Sequence, residues 1–288
     1  MSALEAVRTW VLQSAYTRAL GVSLLSLEPE RARLALPYRD ENSNGDKALH
    51  GGVAASLIVT GAHAVARASL GEGSGPWHTA AIQVGYLSAA LGEAIRAEAR
   101  LLRRGKELAH VEVSVETEQR KPVARGLLIV RGRFAAAEPK RPAVRGDEGA
   151  ADLGPMGAFV SRVPFHARLG LVTEHMAGGR ARIVMPWRDE NADASGGVHE
   201  GALLGLLDTT GAMAAWAETG PGRFKASTPG IQTGVLAPLP RGDLVAYAHV
   251  RHRDREMLFS EVEIADAQAG LVARGTVSYR IVRPEPAP

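Results

Sequence analysis

Tyr38-Arg39-Asp40-Glu41-Asn42 is followed, eight residues after its Asn, by His50-Gly51-Gly52, and the second half of the chain repeats both: Trp187-Arg188-Asp189-Glu190-Asn191, then His199-Glu200-Gly201. One offset of 149 relates the copies, from 38 to 187 and from 50 to 199. It also carries Leu20-Gly21 onto Leu169-Gly170, Thr79 onto Thr228, Ile82-Gln83 onto Ile231-Gln232, and Val123-Ala124-Arg125-Gly126 onto Val272-Ala273-Arg274-Gly275. A gap-free register of that length marks a duplicated domain, because solenoid repeats run about 20–50 residues. The 288 residues therefore divide into residues 1–134, a linker at 135–162 rich in Ala, Pro, Gly and alternating charge, and residues 163–288. The Pro-rich end, 284–288, is expected to fray.

Each copy reads in the same order. Residues 3–19 suit a lead-in helix. Val22–Leu27 and Ala32–Leu36 form a hairpin pair around Glu28-Pro29-Glu30. A polar loop at 39–47 leads to Gly51–Leu70, apolar around its circumference and therefore a buried helix, which Gly71 to Pro76 stops. Four strands follow near 79–87, 94–102, 108–115 and 123–133, with Val111, Val113 and Val115 alternating. An antiparallel sheet enclosing one apolar helix, present twice, is an α+β plan.

Composition narrows the functions. Hydrophobic residues at 45% and charged residues at 23% exclude a wholly disordered chain. With no Cys there is no disulfide framework, thiolate nucleophile or Cys-ligated metal. The most apolar stretch, Gly51–Leu70, carries His63 and Arg67, so no membrane span is expected. The first residues carry an acid where a secretory leader is basic, which points to a cytoplasmic protein. A net charge of +3 and 5% aromatic residues give no footing for nucleic acid. His249 and His252 lack metal-ligand spacing, and no cofactor is expected.

The element order, with a buried helix opened by His-Gly-Gly, resembles the hotdog fold. More narrowly it resembles the thioesterase branch that includes the phenylacetate-degradation (PaaI-type) and 4-hydroxybenzoyl-CoA enzymes. The motif is an Asn, then His-Gly-Gly, then an acid nine positions after the His. The resemblance covers both repeats and implies a tandem hotdog pseudo-dimer that hydrolyses acyl-CoA thioesters, with a homodimer of pseudo-dimers as one further assembly. It implies Asp208 as nucleophile or general base, the Gly51 N–H as the group polarising the carbonyl, Asn42 holding the carbonyl or water, His50 shaping the loop, and Thr228 beside the acid.

Elementary chemistry agrees with part of that assignment. Thioester hydrolysis needs a carboxylate and an oxyanion site at one carbonyl. A helix N-terminus supplies the second, and glycine lets the acyl group approach. Asp208, however, lies about 12 Å along its own helix from Glu200. Antiparallel packing of the two central helices would bring it to Gly51 instead. Crossed pairing then places Asn42, His50, Gly51, Asp208 and Thr228 in one site, and Asn191, His199, Glu200, Val59 and Thr79 in the other. Both departures from the motif, Val59 for the acid and Glu200 for the glycine, fall in the second site, which reads as vestigial. Arg103, Arg104, Lys106, Arg251, His252, Arg253 and Arg255 are candidates for the coenzyme A phosphates.

Two other functions compete. Asp40, Asn42 and His50 faintly match a hotdog hydratase pattern, which an enoyl-CoA hydration assay would separate. A non-catalytic acyl-CoA binder would have no need of the Asp208 carboxylate.

Overall fold

The computed structural model describes residues 2–71, 73–137, 140–144, 146 and 151–282; the chain end expected to fray lies outside them. The first half contains helices α1 (Ala3–Gln13) and α2 (Ala15–Leu20), strands β1 (Ser23–Glu28) and β2 (Arg31–Leu36), and central helix α3 (Gly51–Leu70). Four strands complete it: β3 (Trp77–Tyr86), β4 (Ile95–Arg104), β5 (Leu108–Thr117) and β6 (Pro122–Gly132). The second half repeats the order with α4 (Pro164–Leu169), β7 (Val172–Ala177), β8 (Arg180–Met185), α5 (Glu200–Thr219), β9 (Lys225–Val235), β10 (Leu244–Arg253), β11 (Met257–Asp266) and β12 (Leu271–Val282).

All twelve strands form one antiparallel sheet in the order β1-β2-β4-β5-β6-β3-β9-β12-β11-β10-β8-β7. The halves join edge to edge, with Gln83 opposite Gln232 and Val84 opposite Ile231. Gln83 and Gln232 are equivalent residues, so the pseudo-twofold passes between them. Each half thereby covers the strand edge the other would leave open. On β5 the alternation expected from sequence is the buried row Ala109, Val111, Val113 and Val115, packed on α3. Helix α3 is long and apolar enough to cross a membrane by length and composition, but 94% of that stretch is buried inside the protein.

The two central helices pack antiparallel. Across the seam Gly51 faces Asp208, Gly52 faces Gly205, and Ser56 faces Gly201, numbers rising on one helix as they fall on the other. The approach is close enough to require small residues. A Cβ on Gly52 would lie 3.0 Å from the Gly205 Cα, and one on Gly201 would lie 2.8 Å from Ser56 Oγ.

The lead-in helix expected over residues 3–19 is broken at Ser14. The Ser14 hydroxyl and N–H both donate to the Trp10 carbonyl. The loop of the opposite half supplies the rest: Ala194 N–H donates to Ser14 Oγ, and Tyr16 N–H donates to the Ala192 carbonyl. The stretch read as linker also carries structure. Gly157–Arg162 forms a 3-10 turn with Val160 buried, and Leu271 N–H donates to the Pro142 carbonyl.

Candidate active site

Both central helices open with the same local device. The His50 Nδ1 accepts the Gly52 N–H at 3.0 Å, and the His199 Nδ1 accepts the Gly201 N–H at 3.0 Å. This caps one orphan donor at each N-terminus. The first helical N–H, on Gly51 or Glu200, has no acceptor within its own helix. Asn42 and Asn191 sit behind the caps as straps. Each donates its side-chain amide to the carbonyl that ends the preceding helix, Leu20 at 3.0 Å and Leu169 at 2.9 Å. One Asn42 amide N–H is thus used in the loop, while its Oδ1 is buried with no partner among the described residues.

At the start of α3, a Cβ built on Gly51 would lie 3.1 Å from Asp208 Oδ2 and 3.3 Å from the Tyr86 ring. The helix N-terminus of one half and the mid-helix acid of the other therefore meet, as crossed packing requires. Asp208 is 3% exposed. Burial pushes its pKa from the ordinary 3.8 up to about 6, against the lowering effect of one hydrogen bond, from Thr228 Oγ1 to Oδ1 at 2.8 Å. Oδ2 is left facing Gly51. Tyr86 shares the site with a buried hydroxyl that finds no partner among the described residues, and burial with Asp208 nearby holds that phenol protonated.

Behind Gly51 runs a relay of neutral side chains. The His166 Nδ1 faces the Val160 carbonyl at 2.9 Å, while its Nε2 meets His50 Nε2 and Thr209 Oγ1, each at 3.1 Å. The pattern assigns the protons to His166 Nδ1 and His50 Nε2. Burial lowers both imidazole pKa values, and His166 reaches about 4. His50 therefore fixes the helix start as a neutral cap.

The equivalent place at the start of α5 is built differently. Glu200 Oε1 accepts the Thr79 N–H at 3.0 Å, and Oε2 meets His63 Nε2 at 3.1 Å. His63 Nε2 also lies 3.0 Å from Thr79 Oγ1. Burial would raise the Glu200 pKa, but His63 and the Thr79 donors more than offset it and hold it at about 2. Beside this carboxylate is a cavity of about 360 Å³, walled by Trp10, Val59, His63, Arg67, Trp77 and His199. The Arg67 guanidinium lies over both tryptophans, 3.8 Å from the Trp10 ring and 4.5 Å from Trp77.

Comparison with known proteins agrees with this duplicated architecture. Residues 39–131 match the family model described as acyl-CoA thioesterase N-terminal domain, and residues 195–273 match the thioesterase superfamily model. A Halobacterium salinarum protein whose name marks it as an inferred esterase is 34% identical over 102 residues, 34% of this chain and 67% of that one. The chain belongs to the thioesterase superfamily, as a tandem hotdog. A solved hotdog-fold protein from Alicyclobacillus acidocaldarius superposes with a TM-score of 0.68 at 14% identity, covering 91% of this chain and 96% of that one. The tesB protein of Mycobacterium avium subs paratuberculosis gives 0.64 at 12% identity, over 97% and 100%. Likenesses this distant establish the fold. The family matches reach the superfamily and not the narrower PaaI-type branch.

Within this hotdog pair the other sequence candidates are spread out. Asp40, on which the hydratase pattern depends, is exposed and accepts the Tyr38 hydroxyl at 2.8 Å. Arg251 pairs with Glu261 at 2.8 Å and Arg253 with Glu218 at 3.9 Å, while Arg103, Arg104 and Lys106 are exposed at the β4–β5 turn. Among the described residues no three His, Asp or Glu side chains converge as a metal-ligand set. Sequence reasoning missed Tyr86, His166 and Thr209 in the first site, and Trp10 and the contributions of His63 and Arg67 in the second. The signal for several was the offset itself: Tyr86 corresponds to Val235, His63 to Ala212, and Arg67 to Trp216.

Proposed function

We propose that this chain is an acyl-CoA thioesterase and that it hydrolyses its substrate at the composite site of Asp208 and Gly51. The observation that carries the reading is the buried Asp208 carboxylate aimed at the N-terminus of the opposite central helix. A carbonyl seated against the Gly51 N–H receives an oxyanion donor backed by the helix dipole. Oδ2 takes a proton from water as the water oxygen attacks the carbonyl carbon. The tetrahedral oxyanion forms at Gly51, the C–S bond breaks, and the proton passes from Asp208 to the leaving sulfur. A carboxylate held near pKa 6 suits this base role better than one at 3.8. Thr228 fixes the rotamer of the acid, and the protonated Tyr86 hydroxyl is a further donor within the site. In this reading the exposed basic residues of the two β-hairpins are available to the phosphates of coenzyme A.

The test is free-thiol release from short, medium, long and aromatic acyl-CoAs. At least one class is expected to be hydrolysed, and its turnover should drop at least about 10²-fold in Asp208→Asn. Absence of thiol release from every class, or a folded Asp208→Asn variant with wild-type rates on all of them, overturns the assignment.

A further inference from the structure

The oxyanion donor and the acid of the Asp208 site come from different helices, so their separation depends on how the start of α3 is held against the middle of α5. His166, on α4, touches both. Its Nε2 lies 3.1 Å from His50 Nε2 at the α3 cap and 3.1 Å from Thr209 Oγ1, the residue after Asp208 on α5. We propose that His166 is a positioning residue for hydrolysis, a bridge that sets the Gly51 N–H against the Asp208 carboxylate. The proposal rests on the acyl-CoA thioesterase reading and adds a residue to its composite site.

The hydrogen bonds have one consistent direction. The Gly52 N–H donates to His50 Nδ1, so the His50 proton is on Nε2, the atom that meets His166. The Val160 carbonyl can only accept, so His166 Nδ1 carries the proton and Nε2 presents a lone pair. That lone pair receives the His50 N–H and the Thr209 hydroxyl. His166 and Thr209 are both buried, which shields these bonds from water. A His50 ring that turned or changed tautomer would release the Gly52 N–H and loosen the first turn of α3, which carries the Gly51 N–H. Misplacement of a reacting group by 1 Å can cost about 10²-fold in rate.

The other composite site keeps the frame and lacks the bridge. The His50 ring lies 4.7 Å from Phe165, and the His199 ring lies 4.9 Å from Tyr16, the counterpart of Phe165. The counterpart of His166 is Thr17, whose hydroxyl faces the Val11 and Ser14 carbonyls instead. His199 Nε2 is consequently buried with no partner among the described residues. Thr60, the counterpart of Thr209, donates back to the Ser56 carbonyl of its own helix at 2.7 Å. Both arms of the bridge are therefore missing where Val59 stands at the acid position and Glu200 at the glycine position. Capping alone does not require the bridge, since His199 still accepts the Gly201 N–H at 3.0 Å. What His166 adds is the tie between the cap and the acid-bearing helix.

His166→Thr copies the residue at position 17 and removes the acceptor that His50 meets. His166→Gln offers an amide oxygen in place of Nε2. Thr209→Val keeps size and cuts the other arm. After thermal melts confirm folding, kcat and KM are measured by thiol release on the acyl-CoA class that wild type hydrolyses fastest. His166→Thr should lower kcat about 10–10²-fold with KM within about twofold, and His166→Gln should stay within about threefold of wild type. Thr209→Val should lower kcat about three- to tenfold and add nothing to His166→Thr, because both act through one nitrogen. Unchanged kcat in folded His166→Thr or Thr209→Val, a His166→Gln variant no faster than His166→Thr, or additive losses in the double variant overturns the bridge. Thr209→Val carries the test if the His166 variants do not fold. A rate lost in Asp208→Asn and kept in His166→Thr removes the bridge and leaves the hydrolytic reading standing, whereas a wild type that releases no thiol from any class overturns both.

Discussion

The two composite sites share one frame and hold their carboxylates in opposite states. Each lies at the start of a central helix capped by histidine, opposite the middle of its twin. Asp208 is buried with one hydroxyl donor, and its pKa rises to about 6. Glu200, with its side chain 11% exposed, receives the Thr79 N–H and His63, and its pKa falls to about 2. Burial is common to both, so the number and charge of the donors decide the direction. The first site has a carboxylate suited to take a proton; the second has one suited to stay ionised.

The largest expected effect that would sharpen this contrast is kinetic. Asp208→Asn should cost about 10²–10⁴-fold in turnover of the acyl class handled at the first site. In wild type that activity should fall as pH drops below about 6, because the base is then protonated. Thr228→Val removes the hydrogen bond that lowers the Asp208 pKa, so this acid limb should move to higher pH. A pH–rate profile flat down to pH 4 would place the base elsewhere.

Next in size, Gly51→Glu should reduce the same activity about 10²–10³-fold, the loss expected for an oxyanion donor. The new side chain would enter a space in which its own Cβ would lie 3.1 Å from Asp208 Oδ2. Rates unchanged by Gly51→Glu would break the crossed pairing of helix start and acid.

Stability should separate the acids by sign. Folded Asp208 binds a proton between about pH 4 and 6 that the unfolded chain releases, so its contribution to stability declines as pH rises through that window. Asp208→Asn should therefore be more stable than wild type at pH 7.5, by roughly 1–3 kcal/mol. Glu200 is depressed, so its contribution is present above about pH 4.5 and is lost as pH falls toward 2. Glu200→Gln should be less stable at pH 7.5, with the difference closing in acid. Denaturant titrations at both pH values read both signs, and equal shifts for the two variants would contradict the contrast.

The smallest effect lies in the helix seam. Tyr16 donates to Ser56 Oγ at 2.8 Å, while their counterparts across the offset are Phe165 and Gly205. Tyr16→Phe should cost about 0.5–1.5 kcal/mol, and a double-mutant cycle with Ser56→Gly should recover part of it. Strict additivity would show that the two halves do not use this pair interchangeably.

Much of the fold was legible because the duplication offers two readings of each element. Gly51–Leu70 was bounded by its opening histidine and closing glycine, and the structure begins and ends α3 there. The break at Ser14 was not legible, because the residues that stabilise it, Ala192 and Ala194, belong to the other half. In the first site, the resemblance pointed to Asp208 and Gly51, and the register and helix rise paired them across the halves. Tyr86 did not follow, although the offset marks it as a departure from Val235, because a substitution on a strand does not say which side chains the fold brings against it.

The second site shows where sequence reasoning stops. Aligned by offset, Val59 and Glu200 are two losses, and the sequence by itself determined that both fall in one composite site. It also determined the tandem plan, the helix starts and the apolar faces, because these depend on local propensity and on spacing along the chain. Only the tertiary structure decided that the Glu200 carboxylate reaches Thr79 and His63, residues 121 and 137 positions away, and that a cavity opens beside them. A side chain several bonds long can return a carboxylate to a site from a different backbone position, and register records only where the backbone starts.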